Sequence, residues 1–228
     1  MLLLHIANKN YSSWSLRPWI LLRELGIPFI ERLTPFDEKS SDTFKTFSPT
    51  GKVPCLVDGE TVIWDSLAIA EYVAEDHPQV WPSDRIARAW ARSASAEMHS
   101  SFGELRNHCG MNCGLRVKLH KVTKALQADW ARVDELWCDG LSKSGGPFLA
   151  GERFTAVDAF YAPVAFRVQT YSPELSAQAQ DYAQRLRTLS SMRAWYSAAL
   201  REPWRDVPHE AEVRSYGVVL QDDRQLVS

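Results

Sequence analysis

The sequence predicts a mixed α/β unit followed by an all-helical one, and three observations carry that assignment. Residues 1–76 alternate apolar runs and helical patterns in the order strand, helix, strand, loop or helix, strand, strand, helix. Residues 77–84, His77-Pro78-Gln79-Val80-Trp81-Pro82-Ser83-Asp84, hold two prolines and read as a linker. Residues 85–228 repeat apolar side chains at helical spacing, with no convincing strand until the tail.

Leu2–Ile6 is a short apolar run suited to a buried strand, and Asn8–Ser15 is polar and turn-rich. Trp19, Ile20, Leu22 and Leu25 follow at helical spacing, closed by Gly26 and Pro28. Pro18 has no N–H, so it fits where a helix leaves N–H groups unpaired, in the first turn. This makes Ser15 the N-cap and Pro18 the third helical residue, with Ser12 and Ser13 in the loop ahead. Phe29–Leu33 is a second strand, parallel to the first because a helix separates them. Ser41–Phe47 has the pattern of a short helix. Cys55-Leu56-Val57 and Thr61-Val62-Ile63-Trp64 then flank Asp58-Gly59-Glu60, a strong hairpin signal. Asp65 and Ser66 stand where the next helix begins, ahead of Leu67, Ala70, Val73 and Ala74.

In the second unit, apolar residues at 86, 90, 94, 98, 102 and 105 predict one helix over Ile86–Leu105. Leu119, Val122, Leu126, Trp130, Val133 and Trp137 predict another, and Gly145-Gly146-Pro147 breaks the chain. Thr155 and Asp158 are spaced as a capping box opening a third. Asp181–Leu189 and Met192–Leu200 are further helical segments.

The composition excludes several classes. A net charge of −2, from 26 basic and 28 acidic residues, leaves no basic footprint for nucleic acid. No apolar run approaches the ~18–20 residues that span a bilayer, so no membrane association is expected. Met1–His5 reads as a strand, not a signal peptide. Cys55, Cys109, Cys113 and Cys138 form no C-x-x-C pair, which fits a reducing cytoplasm. The Glu97–Cys113 stretch carries His99, His108 and Cys109 but lacks the two well-spaced halves of a zinc site, so no metal is expected. Nine tryptophans suggest large apolar contacts or an aromatic cleft.

The stretch Phe47–Ser66 organises the function. Its hairpin delivers two short polar side chains, Asp65 and Ser66, to a helix N-terminus, which attracts a carboxylate or phosphate. Pro54 sits just ahead of the first hairpin strand, where a missing ladder donor is tolerated. Val53-Pro54 then Cys55-Leu56, with Asp65-Ser66 after the hairpin, resembles the glutathione-binding half of the cytosolic glutathione transferases. The resemblance extends over the whole chain. It implies a thioredoxin-like N-terminal domain with a mixed four-stranded sheet, an all-helical C-terminal domain, glutathione as co-substrate and a homodimer. It further implies a cis Pro54, with Val53 pairing its backbone with the cysteinyl part of glutathione. Asp65 and Ser66 would hold the γ-glutamyl end, and Lys52 would reach the glycyl carboxylate.

Ser12-Ser13-Trp14-Ser15-Leu16-Arg17 resembles the SSCSWR-type stretch of the zeta class of these transferases. Aligned without gaps, Ser12 takes the place of the serine that activates the thiol; counted back from the arginine, Ser13 does. Ser13 is the favoured residue. The zeta cysteine is replaced by Trp14, which weighs against maleylacetoacetate isomerisation. Met98, Phe102 and Arg106, four residues apart, are implied to line the site for a small hydrophobic electrophile, with plain helix packing as the alternative. Cys55 reads as a buried apolar residue. Other readings that stay open are a binding protein of the same fold without turnover, and a glutathione-dependent isomerase or peroxidase.

Overall fold

The computed structural model describes residues 1–224. Strand β1 (Leu2–Ile6) pairs in parallel with β2 (Phe29–Leu33), Leu4 opposite Glu31. On its other side β1 pairs antiparallel with β3 (Cys55–Asp58), and β3 turns through Gly59 into β4 (Thr61–Trp64). The sheet order β2-β1-β3-β4 makes a mixed four-stranded sheet, as expected for a thioredoxin-like domain. Leu4, Ile6 and Leu56 are fully buried in the core with Ile20 of α1 (Ser13–Glu24) and Ile69 of α3 (Ser66–Asp76). His5 stacks instead on Phe47, near the short helix α2 (Ser40–Lys45), where Phe44 is buried.

Helix α1 starts earlier than its proline suggests. Ser12, not Ser15, occupies the N-cap position, and Pro18 lies inside the helix. A mid-helix proline costs ~3 kcal/mol. Burial of Leu16, Trp19 and Ile20, each stabilising by ~1.5–3 kcal/mol, outweighs that cost.

A 3-10 turn, Pro78–Val80, leads to α4 (Arg85–Ser100), whose N-cap Asp84 accepts from the Ile86 and Ala87 amides. The single helix expected over Ile86–Leu105 is broken after Ser100. Phe102 adopts a left-handed conformation (φ 62°), and a separate α5 (Gly103–His108) follows. Two side chains hold the break. Asp129 accepts from the Leu105 amide, and Arg106 donates to the Met98 and Ser101 carbonyls freed at the end of α4.

The helical unit also contains an antiparallel ribbon. β5 (Leu115–Leu119) pairs across roughly a hundred residues with β6 (Gly217–Asp222). Leu119 therefore belongs to a strand and Val122 to a loop, while α6 (Lys124–Ser144) begins after its N-cap Thr123. Gly140 of α6 allows Trp90 to pack closely, since a Cβ there would lie 2.4 Å from the indole. Helix α7 (Ala156–Tyr171) is buried along nearly its whole length and packs against α1, α4 and α8 (Ala177–Thr188). It opens with the Thr155/Asp158 capping box. Helices α9 (Ser190–Leu200) and α10 (Val207–Tyr216) complete the described chain. Among the described residues no helix is long and apolar enough to cross a membrane, and no three or more His, Cys, Asp or Glu side chains are grouped as metal ligands.

Candidate active site

Two adjoining cavities of about 410 and 460 Å³ lie where the β1–α1 loop and the chain ahead of β3 meet the helical unit. Trp14, Lys52 and Val53 border both. The second is completed by Pro54, Asp65, Ser66 and His99, the first by Ser12, Ser13, Arg106, Arg167 and His209.

In the second cavity the Val53-Pro54 peptide is cis. Asp65 is the N-cap of α3 and accepts from the Leu67 amide at 2.8 Å. Its backbone (φ 76°, ψ 134°) lies where non-glycine residues rarely go, at a cost of ~1–3 kcal/mol. The carboxylate lies 3.4 Å from His99 Nε2. Burial lowers the His99 pKa, and Arg17 and Arg106 lower it further against the pull of Asp65. Ser66, the first helical residue, is buried, and its Oγ accepts from Arg17 at 3.4 Å.

Arg17, the arginine of the SSWSLR stretch, is buried with its guanidinium 4.0 Å from the Trp14 ring centre and 4.9 Å from that of Phe160. Arg106 approaches the same indole at 4.7 Å. Trp14 thus carries two cations on its π system, each contact stabilising by ~0.5–2 kcal/mol. Arg167 joins them from α7. Burial and then Arg106 lower its pKa to about 10, so it remains charged at neutral pH. Among the described residues none of the three arginines forms an ion pair.

The two candidate serines differ in how their protons are used. Ser12 donates to Ser15 Oγ at 2.7 Å, and Ser15 in turn accepts from the Ala7 amide, so the Ser12 proton points into the fold. Ser13 Oγ accepts from Arg167 Nη2 at 3.4 Å, while Arg167 Nε is anchored on the Cys109 carbonyl. That leaves the Ser13 proton for a molecule in the cavity, beside a cation and at the first residue of α1.

Of the predicted electrophile-side trio, only Arg106 borders the cavity. Met98 and Phe102 are 1% and 4% exposed and belong to the core, because α4 ends before Phe102 and their spacing of four is not carried on one helix. Lys52 is exposed on the shared rim, and Cys55 is buried in β3 with its thiol pKa raised by burial. Sequence reasoning missed Arg167 and His209. A lone arginine in the apolar second half of α7 was the available signal for the first. The Asp206-x-x-His209 spacing at a helix start was that for the second.

A mixed sheet with a cis proline and a helix N-terminus at its edge, joined to a helical bundle across a cleft, defines the glutathione transferase class of fold. Family models for the glutathione S-transferase N-terminal and C-terminal domains match residues 11–76 and 87–198. A probable maleylacetoacetate isomerase from Caenorhabditis elegans is 27% identical over 179 residues, covering 74% of this chain and 79% of the relative. Glutathione S-transferase Z2 of Arabidopsis thaliana is 29% identical over 169 residues, covering 68% and 74%. Among solved structures, a glutathione transferase homolog from Burkholderia GL BGR1 with bound glutathione superposes with a TM-score of 0.64 at 20% identity, covering 87% and 97%. The chain belongs to the glutathione S-transferase family and is an enzyme of it, with zeta-like features.

Proposed function

We propose that this transferase adds the sulfur of glutathione to a small electrophile, with Ser13 holding the reactive thiolate. The observation that carries the reading is the Ser13 hydroxyl at the cavity wall, its oxygen occupied by Arg167 and its proton free. A free thiol titrates near pH ~8.5, so a few per cent is thiolate at neutral pH. Making most of it thiolate takes a downward shift of ~2 units, or ~2.7 kcal/mol. A hydroxyl bonded to a charged acceptor supplies roughly 1.5–3 kcal/mol, and a helix N-terminus roughly 0.3–1 kcal/mol. Arg167 adds its field by polarising the hydroxyl.

The tripeptide lies along the other cavity in this reading. Its γ-glutamyl carboxylate sits at Ser66 and the α3 N-terminus, its ammonium meets Asp65, its cysteinyl backbone pairs with Val53 at Pro54, and its glycyl carboxylate reaches Lys52. The buried Arg17 behind Ser66 reinforces the preference for an anion there. The electrophile occupies the cavity beyond Trp14, against Arg106. A glutathione-dependent isomerase is the second reading, favoured by the relatives that carry that name and opposed by Trp14 in the cysteine position.

Titrating the ultraviolet absorbance of bound thiolate tests the assignment. Ser13→Ala should raise the thiol pKa by more than one unit with affinity nearly kept, and Ser66→Ala should weaken binding by calorimetry. A shift confined to Ser12→Ala transfers the role to Ser12, and no shift in either removes the serine mechanism.

A further inference from the structure

The C-terminal family match ends at residue 198, yet the cavity wall continues beyond it. Helix α10 closes one side of the electrophile cavity and is tied firmly in place. Glu210 accepts from Tyr11 at 2.8 Å and from Asn112 at 3.2 Å, and it pairs with the buried Arg224. The residue before Glu210, His209, borders the cavity with Ser13 and Arg167. Its ring stacks on Tyr11 (5.1 Å between centres, 24° between planes) and lies 5.2 Å from Phe36, so aromatic contacts fix its plane. Asp206 fixes its tautomer. That carboxylate accepts from the His209 amide at 3.1 Å and also bonds ring Nδ1. Among the described residues Nε2 has no partner. A carboxylate on Nδ1 orients a histidine and leaves its other nitrogen to exchange a proton. An N-cap aspartate alone would account for the bond to the His209 amide. It would not place an aromatic-clamped imidazole at the cavity.

We infer that the Asp206–His209 pair is the proton donor of the electrophile side, and that it suits the cavity to conjugated carbonyl acceptors. This rests on the glutathione site proposed above. The thiolate forms a C–S bond at the β-carbon, and the C=C π pair shifts to leave an enolate oxygen. A proton taken up from solvent at His209 Nε2, while Nδ1–H stays on Asp206, passes to that oxygen, and the enol then returns to the ketone through water. His209 regains a proton from solvent, into which the glutathione thiol released its own. His209 is the catalytic residue and Asp206 its positioning residue. Displacement of chloride from an aryl ring needs no such proton, because the leaving halide takes the electron pair.

The test compares rates on benzalacetone, an enone, with rates on chlorodinitrobenzene, an aryl halide, using the full chain. His209→Gln should lower the enone-to-halide rate ratio by roughly 10²-fold. Asp206→Asn keeps an N-cap and hence α10, and should also lower the ratio. Circular dichroism and glutathione calorimetry on both variants exclude unfolding as the cause. A ratio unchanged in His209→Gln overturns the inference, as does a wild-type enzyme that turns over the halide and not the enone. Either result leaves the glutathione site standing. Absence of glutathione binding by the wild type removes both.

Discussion

Two charges lie inside helix α7, and the molecule uses them differently. Asp158 serves the fold. Its fully buried carboxylate accepts from the Thr155 and Leu149 amides at 2.9 and 3.0 Å and from the Tyr182 hydroxyl at 2.7 Å. The capping box read from the sequence accounts for the Thr155 bond only, and loss of a cap costs ~0.5–2 kcal/mol. Asp158→Ala also strands the Leu149 amide and the Tyr182 hydroxyl, each at ~1–3 kcal/mol. The expected loss by urea denaturation is therefore at least about 2.5 kcal/mol, with turnover per folded molecule little changed. Burial outweighs the four hydrogen bonds and raises the Asp158 pKa from 3.8 to about 6. Between those values the folded state keeps a proton that the unfolded state has released. The Asp158 contribution is thus largest below pH ~4 and is lost as pH rises to about 6. Asp158→Asn should remove that part of the slope, seen as a smaller difference in stability between pH 4 and 7 than in the wild type. Arg167, the other charge, serves the site through Ser13. Arg167→Gln should raise the pKa of bound glutathione by roughly half a unit to one unit, or ~0.7–1.4 kcal/mol. Ultraviolet titration reads it, and a shift equal to that of Ser13→Ala would show that the cation dominates.

At the scale of elements, what could be read in the sequence was what is local. The β3–β4 hairpin and the start of α3 carry their signals within a few residues, in Asp58-Gly59 and Asp65-Ser66. Pro18 misled because a rule about the first turn was overridden by burial of the helix. The α4–α5 break was illegible because its cause, Asp129 reaching the Leu105 amide, lies on another helix. The β5–β6 ribbon was missed for the same reason, since neither strand is stable without a partner about a hundred residues away. Arg224 shows how that ribbon is held against the N-terminal unit. Its guanidinium, 3% exposed, pairs with Glu210 and Asp222, and Glu210 holds Tyr11. Arg224→Met should cost roughly 1.5–3 kcal/mol, the range of hydrogen bonds to charged groups. Because α10 carries His209, it should also loosen the cavity wall, detected as faster amide exchange in α10 than in α7.

At the scale of the whole molecule, most of the nine tryptophans pack inside a single chain. Trp19, Trp81, Trp130, Trp137 and Trp195 are all in the core, so their number reflects the inside of one chain. The surface gives a different reason to expect a dimer. β4 is an edge of the four-stranded sheet, and two of its side chains, Val62 and Trp64, are 37% and 44% exposed. An open strand edge bearing large apolar side chains is one that soluble proteins usually cover. A second copy of the chain would cover it in the proposed homodimer, with a stable interface expected to bury ~1,200–2,000 Å² in total. Light scattering at micromolar concentration should then return about twice the chain mass of 25.9 kDa. Val62→Glu places a charge on the edge strand, outside both active-site cavities, and should shift the mass towards that of one chain. Glutathione binding should survive in that monomer, because all the side chains assigned to the ligand come from a single chain. A wild-type mass of 25.9 kDa across the concentration range would rule out the dimer, and a dimer indifferent to Val62→Glu would place the interface away from β4.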